Sequence, residues 1–365
     1  MARIDSFLRL VVEQGASDLH LGAGAPPTVR LNGELVPLPF RALSDLEARR
    51  LILEILSDAQ REAVERDKDL DVVYDVQDKG RFRGNVFFHK HGIGSVFRVI
   101  PRGIPTLEEL GLPAAVRNFT RLANGLVLVT GPTGSGKTTT LAAIIDEINR
   151  SYQRHIITIE DPIEFLHRDK KSIVNQREVE VDTRSFAAAL RSALRQDPDV
   201  ILVGEMRDLE TIEAALRVSE TGHLCFATLH TNSAVQTINR VIDVFPSHQQ
   251  AQVRTQLSFV LEGVVCQTLL PKANGPGRAL CVEVMVPTPA IRNLIREDKI
   301  HQIYSQMQIG QDKFGMQTLN QCLADLYGRR LISHEDAVMR SSDPDELQNI
   351  ISSGNAGLRS RQKAS

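Results

Sequence analysis

The sequence predicts an α/β protein in which a small amino-terminal α/β domain precedes a larger domain with a mostly parallel sheet. Three observations support this prediction. From Gly125 onward, short apolar segments typical of buried strands alternate with amphipathic helical segments. A glycine-rich loop joins the first of these strands to the first of these helices. Pro101, Gly103 and Pro105 interrupt the chain just before this region, which indicates a linker.

The small domain is predicted to occupy residues 1–100. Asn32 and Gly33 favour a two-residue turn, and Ser44 with Glu47 has the spacing of a capping box that begins a helix. The predicted elements are, in order, a helix over 6–14, a hairpin over 28–35, a helix over 44–65 and strands over 70–76, 81–89 and 95–100. Residues 101–112 are expected to form the linker.

The larger domain is predicted to occupy residues 113–352 and to end in a helical region. One helix begins at Ser247 and is expected to end before Pro271. The polar, basic tail 353–365 is expected to be disordered. The predicted strands cover 126–130, 155–159, 200–203, 224–228 and 280–286, and helices follow most of them.

Composition excludes several classes of function. The 365 residues are 42% apolar and 24% charged, as in ordinary globular proteins. A net charge of -2 provides no general attraction to nucleic acid, so we expect no nucleic-acid partner. We see neither a signal peptide nor a segment apolar enough to cross a bilayer, and expect no direct membrane insertion. The four cysteines form no CxxC pair, which favours reduced thiols in a cytosolic protein.

The glycine-rich loop has the pattern GxxxxGK[ST] between an apolar strand and a helix. In this context its backbone N–H groups can surround phosphates at a helix N-terminus, which predicts binding of ATP. We expect Lys137 to reach the β- and γ-phosphates and the Thr138 hydroxyl to bind Mg²⁺. The predicted nucleotide-binding residues are Gly131, Pro132, Thr133, Gly134, Ser135, Gly136, Lys137, Thr138 and Thr139.

Acidic residues follow two other predicted strands. Glu205 ends the apolar segment 199–205, and in a parallel sheet it would lie beside the glycine-rich loop, near the metal or its waters. Glu160, Asp161 and Glu164 follow the strand at 155–159. Glu164 is the candidate that activates the attacking water. Glu160 and Asp161 are expected to support either Mg²⁺ or the fold.

Two histidines and several arginines allow more than one interpretation. His223 and His230 flank the apolar strand 224–229, where a histidine is either an ordinary polar residue or a group that senses phosphate or bonds to Glu205. Arg81 and Arg83 alternate on one strand and Arg98 lies on the next. They are either ordinary surface arginines or residues that reach the nucleotide of a neighbouring subunit.

Four segments together resemble the motifs of the secretion-superfamily ATPases, the hexameric motors of type IV pili and type II secretion. In order they are similar to the Walker A, Asp box, Walker B and His box motifs, and they cover residues 131–138, 157–165, 204–208 and 221–231. The segment Ala290–Glu297, with the letters AIRNLIRE, is similar to a motif of the branch that retracts pili. The resemblance extends from about residue 3 to residue 350.

This resemblance implies a PAS-like first domain, a RecA-like second domain and a ring of six subunits. It implies that Glu164 is the catalytic glutamate and Glu205 the Walker B glutamate. It also makes His223 and His230 the His-box residues, with His223 expected to bind the nucleotide and His230 expected to take part in catalysis. Arg83 and Arg98 would be the arginines that reach a neighbour's nucleotide. The implied function is an ATP-driven motor for pilus retraction. The implied partners are an inner-membrane platform protein and a second retraction ATPase, with the motor at the cytoplasmic side of that membrane.

Several alternatives remain open from the sequence. Within the superfamily they are a pilus-extension motor, a type II secretion motor and an accessory retraction ATPase. A DNA-translocating motor would need a basic, aromatic-lined channel, which the absence of Trp and the net charge of -2 disfavour. In the segment 290–297, Ile291, Leu294 and Ile295 have the spacing of core residues. Arg292, Arg296 and Glu297 are expected to remain available for a partner.

Overall fold

The structure is a computed structural model that describes residues 2–31, 33–76, 80–100 and 103–362, without the side chains of residue 312 and residues 354–362. The chain forms two compact units, Met1–Gly103 and Ile104–Ser365. No helix in these described ranges is long and apolar enough to span a membrane.

The first unit contains a six-stranded sheet with helices. Its sheet order is β3-β2-β1-β6-β5-β4, and every neighbouring pair is antiparallel. Phe82 and Phe97 are fully buried in its core. The elements are α1 (Ile4–Glu13), β1 (Asp18–Gly22), β2 (Thr28–Leu31), β3 (Glu34–Pro37), α2 (Asp45–Leu53), α3 (Asp58–Asp67), β4 (Asp69–Val76), β5 (Gly80–His89) and β6 (Gly92–Ile100).

The predicted helix over 44–65 is wrong in one respect, because two helices occupy this segment. Ser44 begins α2 with the expected capping box, but Ser57 begins α3 with a second capping box that includes Gln60. A serine side chain that accepts a backbone N–H favours a helix start over a helix interior, so the segment breaks there. Strand β1 was not predicted, and Asn32 of the expected turn lies outside the described residues.

The second unit contains a seven-stranded sheet in the order β13-β12-β7-β11-β10-β8-β9. All neighbouring pairs are parallel except β12 and β13. Its elements up to the last strand are α4 (Ala114–Phe119), β7 (Gly125–Thr130), α5 (Lys137–Ser151), β8 (His155–Glu160), β9 (Ile173–Glu178), α6 (Phe186–Ala193), β10 (Val200–Val203), α7 (Leu209–Glu220), β11 (Leu224–Leu229), α8 (Ala234–Asp243), α9 (Ser247–Val260), β12 (Leu261–Pro271) and β13 (Arg278–Met285).

The helical region beyond β13 extends further than expected. It consists of α10 (Pro289–Arg296), a short 3₁₀ turn (Ile300–Gln302), α11 (Ile303–Ile309), α12 (Gln311–Phe314), α13 (Leu319–Gly328), α14 (His334–Arg340) and α15 (Pro344–Gln362). Helix α15 therefore continues into the segment 353–365 that we expected to be disordered. No proline interrupts residues 345–362, so nothing in the sequence forces the helix to stop before the tail.

Strand β12 corrects the prediction of a single helix that begins at Ser247 and ends before Pro271, because that prediction placed no strand between them. Helix α9 ends at Val260, and the following eleven residues form a strand between β7 and β13. Val264 and Val265 are fully buried, as in a strand covered on both faces. At Gly263 a Cβ would lie only 2.4 Å from the ring of Phe119, so the strand needs glycine there.

The register brings the carboxyl ends of four parallel strands, β7, β11, β10 and β8, to one edge of the sheet. We call it the P-loop edge, after the glycine-rich loop (P-loop) that follows β7. Thr130 at the end of β7 is opposite Leu229 at the end of β11. Val203 at the end of β10 is opposite Ala227 and Ile159. The loops that follow these strands therefore lie together, as ligand-binding loops do in open α/β sheets.

Candidate active site

The glycine-rich loop, residues 131–136, leads from β7 into α5 and depends on glycine at both ends. Gly131 has φ +143°, and a Cβ there would lie 2.2 Å from the carbonyl oxygen of Gln267. Gly136, the residue immediately before α5, has φ +89°, a conformation that other residues rarely adopt. The loop thus directs its backbone around the start of α5, where N–H groups and the helix dipole favour a phosphate.

Lys137 lies at the first position of α5 and its ammonium is held over the loop. Its Nζ donates to the carbonyl oxygens of Gly131 at 2.8 Å and Pro132 at 3.1 Å. Burial lowers the pKa of Lys137 below its ordinary value, and the charge of Glu205 partly offsets this effect. Thr138 and Thr139 follow in the same helical turn and are partly exposed.

Glu205 is the centre of a charged cluster at the P-loop edge. One carboxylate oxygen lies 2.8 Å from Nε2 of His230, and the other lies 2.6 Å from a guanidinium nitrogen of Arg207. Burial would raise the pKa of Glu205, but the hydrogen bond from Arg207 and the charges of His230 and Arg207 outweigh it and lower that pKa. The carboxylate therefore remains an anion beside Lys137.

The three acids at the end of β8 and in the loop that follows it have different environments. Glu160 is buried, and its carboxylate accepts hydrogen bonds from Thr158 at 2.6 Å and Gln176 at 3.0 Å. These bonds favour the expectation that Glu160 supports the fold over the expectation that it binds Mg²⁺. Asp161 is exposed, and its charge contributes to the raised pKa of Arg207. Glu164 is partly exposed.

The donor set fits Mg²⁺ only together with phosphates. Within the described ranges, no group of three or more His, Cys, Asp or Glu side chains is placed to hold a metal ion. The Thr138 hydroxyl and the Glu205 carboxylate are oxygen donors of the type that Mg²⁺ accepts beside phosphate oxygens and waters. A nucleotide would therefore have to bring much of the coordination.

His223 does not belong to this cluster. It precedes β11, whereas His230 follows it, and seven residue steps along an extended strand, at about 3.3 Å each, separate the two by about 23 Å. His223 Nδ1 lies 3.0 Å from the Thr221 hydroxyl and 3.2 Å from the carbonyl oxygen of Val218, at the opposite edge of the sheet. The expectation that His223 binds the nucleotide of its own chain is therefore not supported by its position.

The arginines expected to act on a neighbour's nucleotide lie in the first unit. Arg98 on β6 is largely exposed, and its Nε lies 2.8 Å from a carboxylate oxygen of Asp18, the first residue of β1. Arg83 on β5 lies 3.8 Å from Asp71. Arg83 and Arg98 are directly opposite each other on paired strands, so that they share one face.

Sequence reasoning missed two residues of the site. Arg207 holds Glu205, and its position two residues further along the same segment could have indicated this. Gln267 lies on β12, in a segment for which the sequence predicts a helix, so that no contact with the glycine-rich loop is expected there. Its buried Nε2 donates to the carbonyl oxygen of Ser135 at 2.8 Å, so that it supports the glycine-rich loop from below.

The segment 290–297 has an inner arginine and an outer one. Arg292 donates to the carbonyl oxygens of Ser258 and Phe259 at the end of α9, and lies 2.7 Å from the Glu262 carboxylate. The expectation that Arg292 is available to a partner is therefore wrong. The guanidinium of Arg296 lies 5.9 Å from the ring centroid of Phe259, whose side chain is 67% exposed.

Comparison with known proteins identifies one matching family model and several proteins that are similar over nearly the whole chain. A family model described as "Type II/IV secretion system protein" matches residues 2–334. The type IV pilus retractation ATPase PilT of Pseudomonas aeruginosa is 52% identical over 344 residues, which are 94% of this chain and 99% of that protein. A twitching motility protein of Neisseria gonorrhoeae is 46% identical over 342 residues, 94% of this chain and 91% of that protein. The crystal structure of the pilus retraction motor PilT with bound ADP matches with a TM-score of 0.89 and 51% identity, and covers 96% of this chain and 100% of that chain.

Proposed function

The chain belongs to the family of type II/IV secretion system proteins, and we propose on this basis that it hydrolyses ATP to power the retraction of type IV pili. The observation that carries the proposal is the cluster at the P-loop edge. Lys137, at the start of α5, lies in the field of Glu205, which is itself held between Arg207 and His230. This is the set of groups that an ATPase needs around a terminal phosphate.

We assign the nucleotide to the loop 131–136 and the first turn of α5. The loop's N–H groups hold the phosphates, and Lys137 exchanges its bonds to Gly131 and Pro132 for phosphate oxygens. Thr138 and Glu205 are the proposed Mg²⁺ contacts, direct or through water, and Asp161 an outer one. Bound Mg²⁺ supplies charge neutralisation on the transferred phosphoryl group.

We assign the attacking water to Glu164. A carboxylate in the loop after β8 can accept the proton of the water, while His230 and Arg207 keep Glu205 oriented toward the phosphate side. Glu160 has a structural role in this proposal because its carboxylate is already bonded to Thr158 and Gln176. His223 has no assigned role at the nucleotide.

We place the motor in a homohexamer at the cytoplasmic side of the inner membrane. There Arg83 and Arg98 from the first unit of one subunit reach the nucleotide of a neighbour. They are the candidates because they share one exposed face of a sheet and lie outside the unit that holds the loop. The proposed partners are the inner-membrane platform protein and a second retraction ATPase, neither of which requires this chain to enter the bilayer.

The experiment that tests the function replaces the chromosomal gene in the native host with a Glu205→Ala form. We expect abundant surface pili and lost surface motility, because assembly continues while retraction stops. The measurement is a count of surface pili together with a motility assay. Glu213→Ala, on the exposed face of α7, is the matched control and should behave as wild type.

Two other outcomes would contradict the proposal. Cells without pili would mean that the motor drives assembly, as an extension motor does. Normal pili with normal motility, despite loss of ATP hydrolysis in the purified protein, would assign retraction to another motor and an accessory role to this one.

A further inference from the structure

Glu283 is a buried carboxylate to which the proposed mechanism gives no role. It lies on β13, opposite Cys266 of β12, and its side chain is only 3% exposed. Burial raises the pKa of Glu283, while hydrogen bonds from the backbone of Ala234 and Leu319 act in the opposite direction. A charged group in such a place is costly unless it is well bonded, so these two bonds need an explanation.

Both bonds come from the first residue of a helix. Ala234 begins α8, and its N–H donates to the Glu283 carboxylate at 2.7 Å. The backbone N–H of Leu319, the first residue of α13, also acts to lower the pKa of Glu283. A helix leaves its first N–H groups without partners inside the helix, and its N-terminus favours a negative charge. One carboxylate thus serves two helix N-termini.

The two helices are capped in the same complementary way. Ser233 and Thr318 precede α8 and α13, and their hydroxyls accept the N–H of the third helical residue. The hydroxyls leave the N–H of the first helical residue without a partner, and Glu283 faces that N–H. The start of each helix is therefore held from outside by its own cap and from below by the same side chain.

The start of α8 also determines the position of His230. Only Thr231, Asn232 and Ser233 separate His230 from α8. The Thr231 hydroxyl is bonded to that of Thr237 in α8 at 2.7 Å, so this short loop is tied to the helix at both ends. A displacement of the first turn of α8 would therefore move His230 relative to Glu205.

We infer that Glu283 is a positioning residue for ATP hydrolysis, which holds His230 on Glu205 and couples it to the helical region through α13. The inference rests on the proposed role of His230. Glu283→Gln keeps the shape of the side chain but removes the carboxylate charge that faces the two helix N-termini. We expect kcat to fall about tenfold or more, because small displacements of catalytic groups are costly, with the KM for ATP changed less than twofold.

The test is a double-mutant cycle measured as steady-state ATP hydrolysis by the full-length protein. If Glu283 acts through His230, Glu283→Gln will lower kcat less than twofold further in a His230→Ala background. If the two substitutions lower kcat multiplicatively, or if a rise in the KM for ATP accounts for the lower activity of Glu283→Gln, the inference is overturned. The proposed function is unaffected by either result. A His230→Ala variant with wild-type kcat would overturn the proposed role of His230 and the inference with it.

A second pair of variants leaves the Glu283 carboxylate intact. The test with this pair therefore does not depend on how a substitution of Glu283 affects folding. Ser233→Ala removes the cap of α8, and Ser333→Ala removes the equivalent cap of α14. We expect only Ser233→Ala to lower kcat, although both remove a hydrogen bond at a helix N-terminus. Equal effects of the two variants on kcat would contradict the inference.

Discussion

At the scale of single residues, the site depends on charges that hold one another in place. Glu205 stays anionic because Arg207 and His230 bond to it from two sides. Sequence reasoning could place Lys137 and Glu205 at one edge, since each follows a parallel strand. It could not predict which nearby polar groups bond to them, because such bonds depend on side-chain orientations that no spacing specifies.

Glu164 is the residue on which hydrolysis should depend most directly. We expect Glu164→Gln to bind ATP as the wild type does and to hydrolyse it more slowly by about 10²–10⁴-fold, because the water loses its base. Binding of a fluorescent ATP analogue and phosphate release measure the two properties. Glu180→Gln, an exposed acid in the same region of the chain, is the control. Unimpaired turnover by Glu164→Gln would move the role of base to another residue.

Gln267 should affect binding more than turnover. Replacing it by methionine removes the bond to the Ser135 carbonyl and loosens the glycine-rich loop. A lost neutral hydrogen bond of about 0.5–1.5 kcal/mol predicts a two- to tenfold weaker affinity for ADP. Titration calorimetry measures it, with Gln252→Met on the exposed face of α9 as the control. An unchanged affinity would show that the loop keeps its shape without this bond.

At the scale of elements, the largest difference between prediction and structure is β12. The segment Leu261–Pro271 follows directly from α9, with no glycine or proline between them to mark an end. Its apolar residues fit a helical pattern as well as a strand pattern. Only the pairing with β7 and β13 makes the segment a strand. The other central strands were predictable because each is a short apolar segment set apart from its neighbours by loop residues.

Helix α10 allows a prediction that separates packing from partner contact. Arg292→Ala leaves two carbonyl oxygens at the end of α9 and the Glu262 carboxylate without their donor. We expect it to lower the free energy of unfolding by about 1–3 kcal/mol. Arg296→Ala, on the outer side, should change it by less than about 0.5 kcal/mol.

Thermal unfolding at one fixed protein concentration distinguishes the two arginine variants. A midpoint for Arg292→Ala equal to that of the wild type would contradict the structural role assigned to this arginine. The Arg296→Ala variant is also informative in the host, because a motility defect without a stability defect would place a partner at Arg296 and Phe259.

At the scale of the whole molecule, the proposed ring predicts that defects can be shared between subunits. Arg98→Ala subunits keep their own loop, and Lys137→Ala subunits keep their own arginine. If Arg98 acts on a neighbour's nucleotide, mixed rings contain some intact sites, and hydrolysis recovers in part. Phosphate release from mixtures of the two inactive variants is the measurement. Verified mixed rings without any recovery would contradict action between subunits.

The arrangement of strands also has a practical consequence. The P-loop edge carries the proposed chemistry, whereas exposed Asn124 lies just before β7, at the other end of the same sheet. All four native cysteines are buried. A thiol introduced as Asn124→Cys would therefore be the one that a maleimide dye reaches first. The motor could carry a fluorescent reporter on its rigid central sheet, about one strand length from the nucleotide, with its native cysteines left in place.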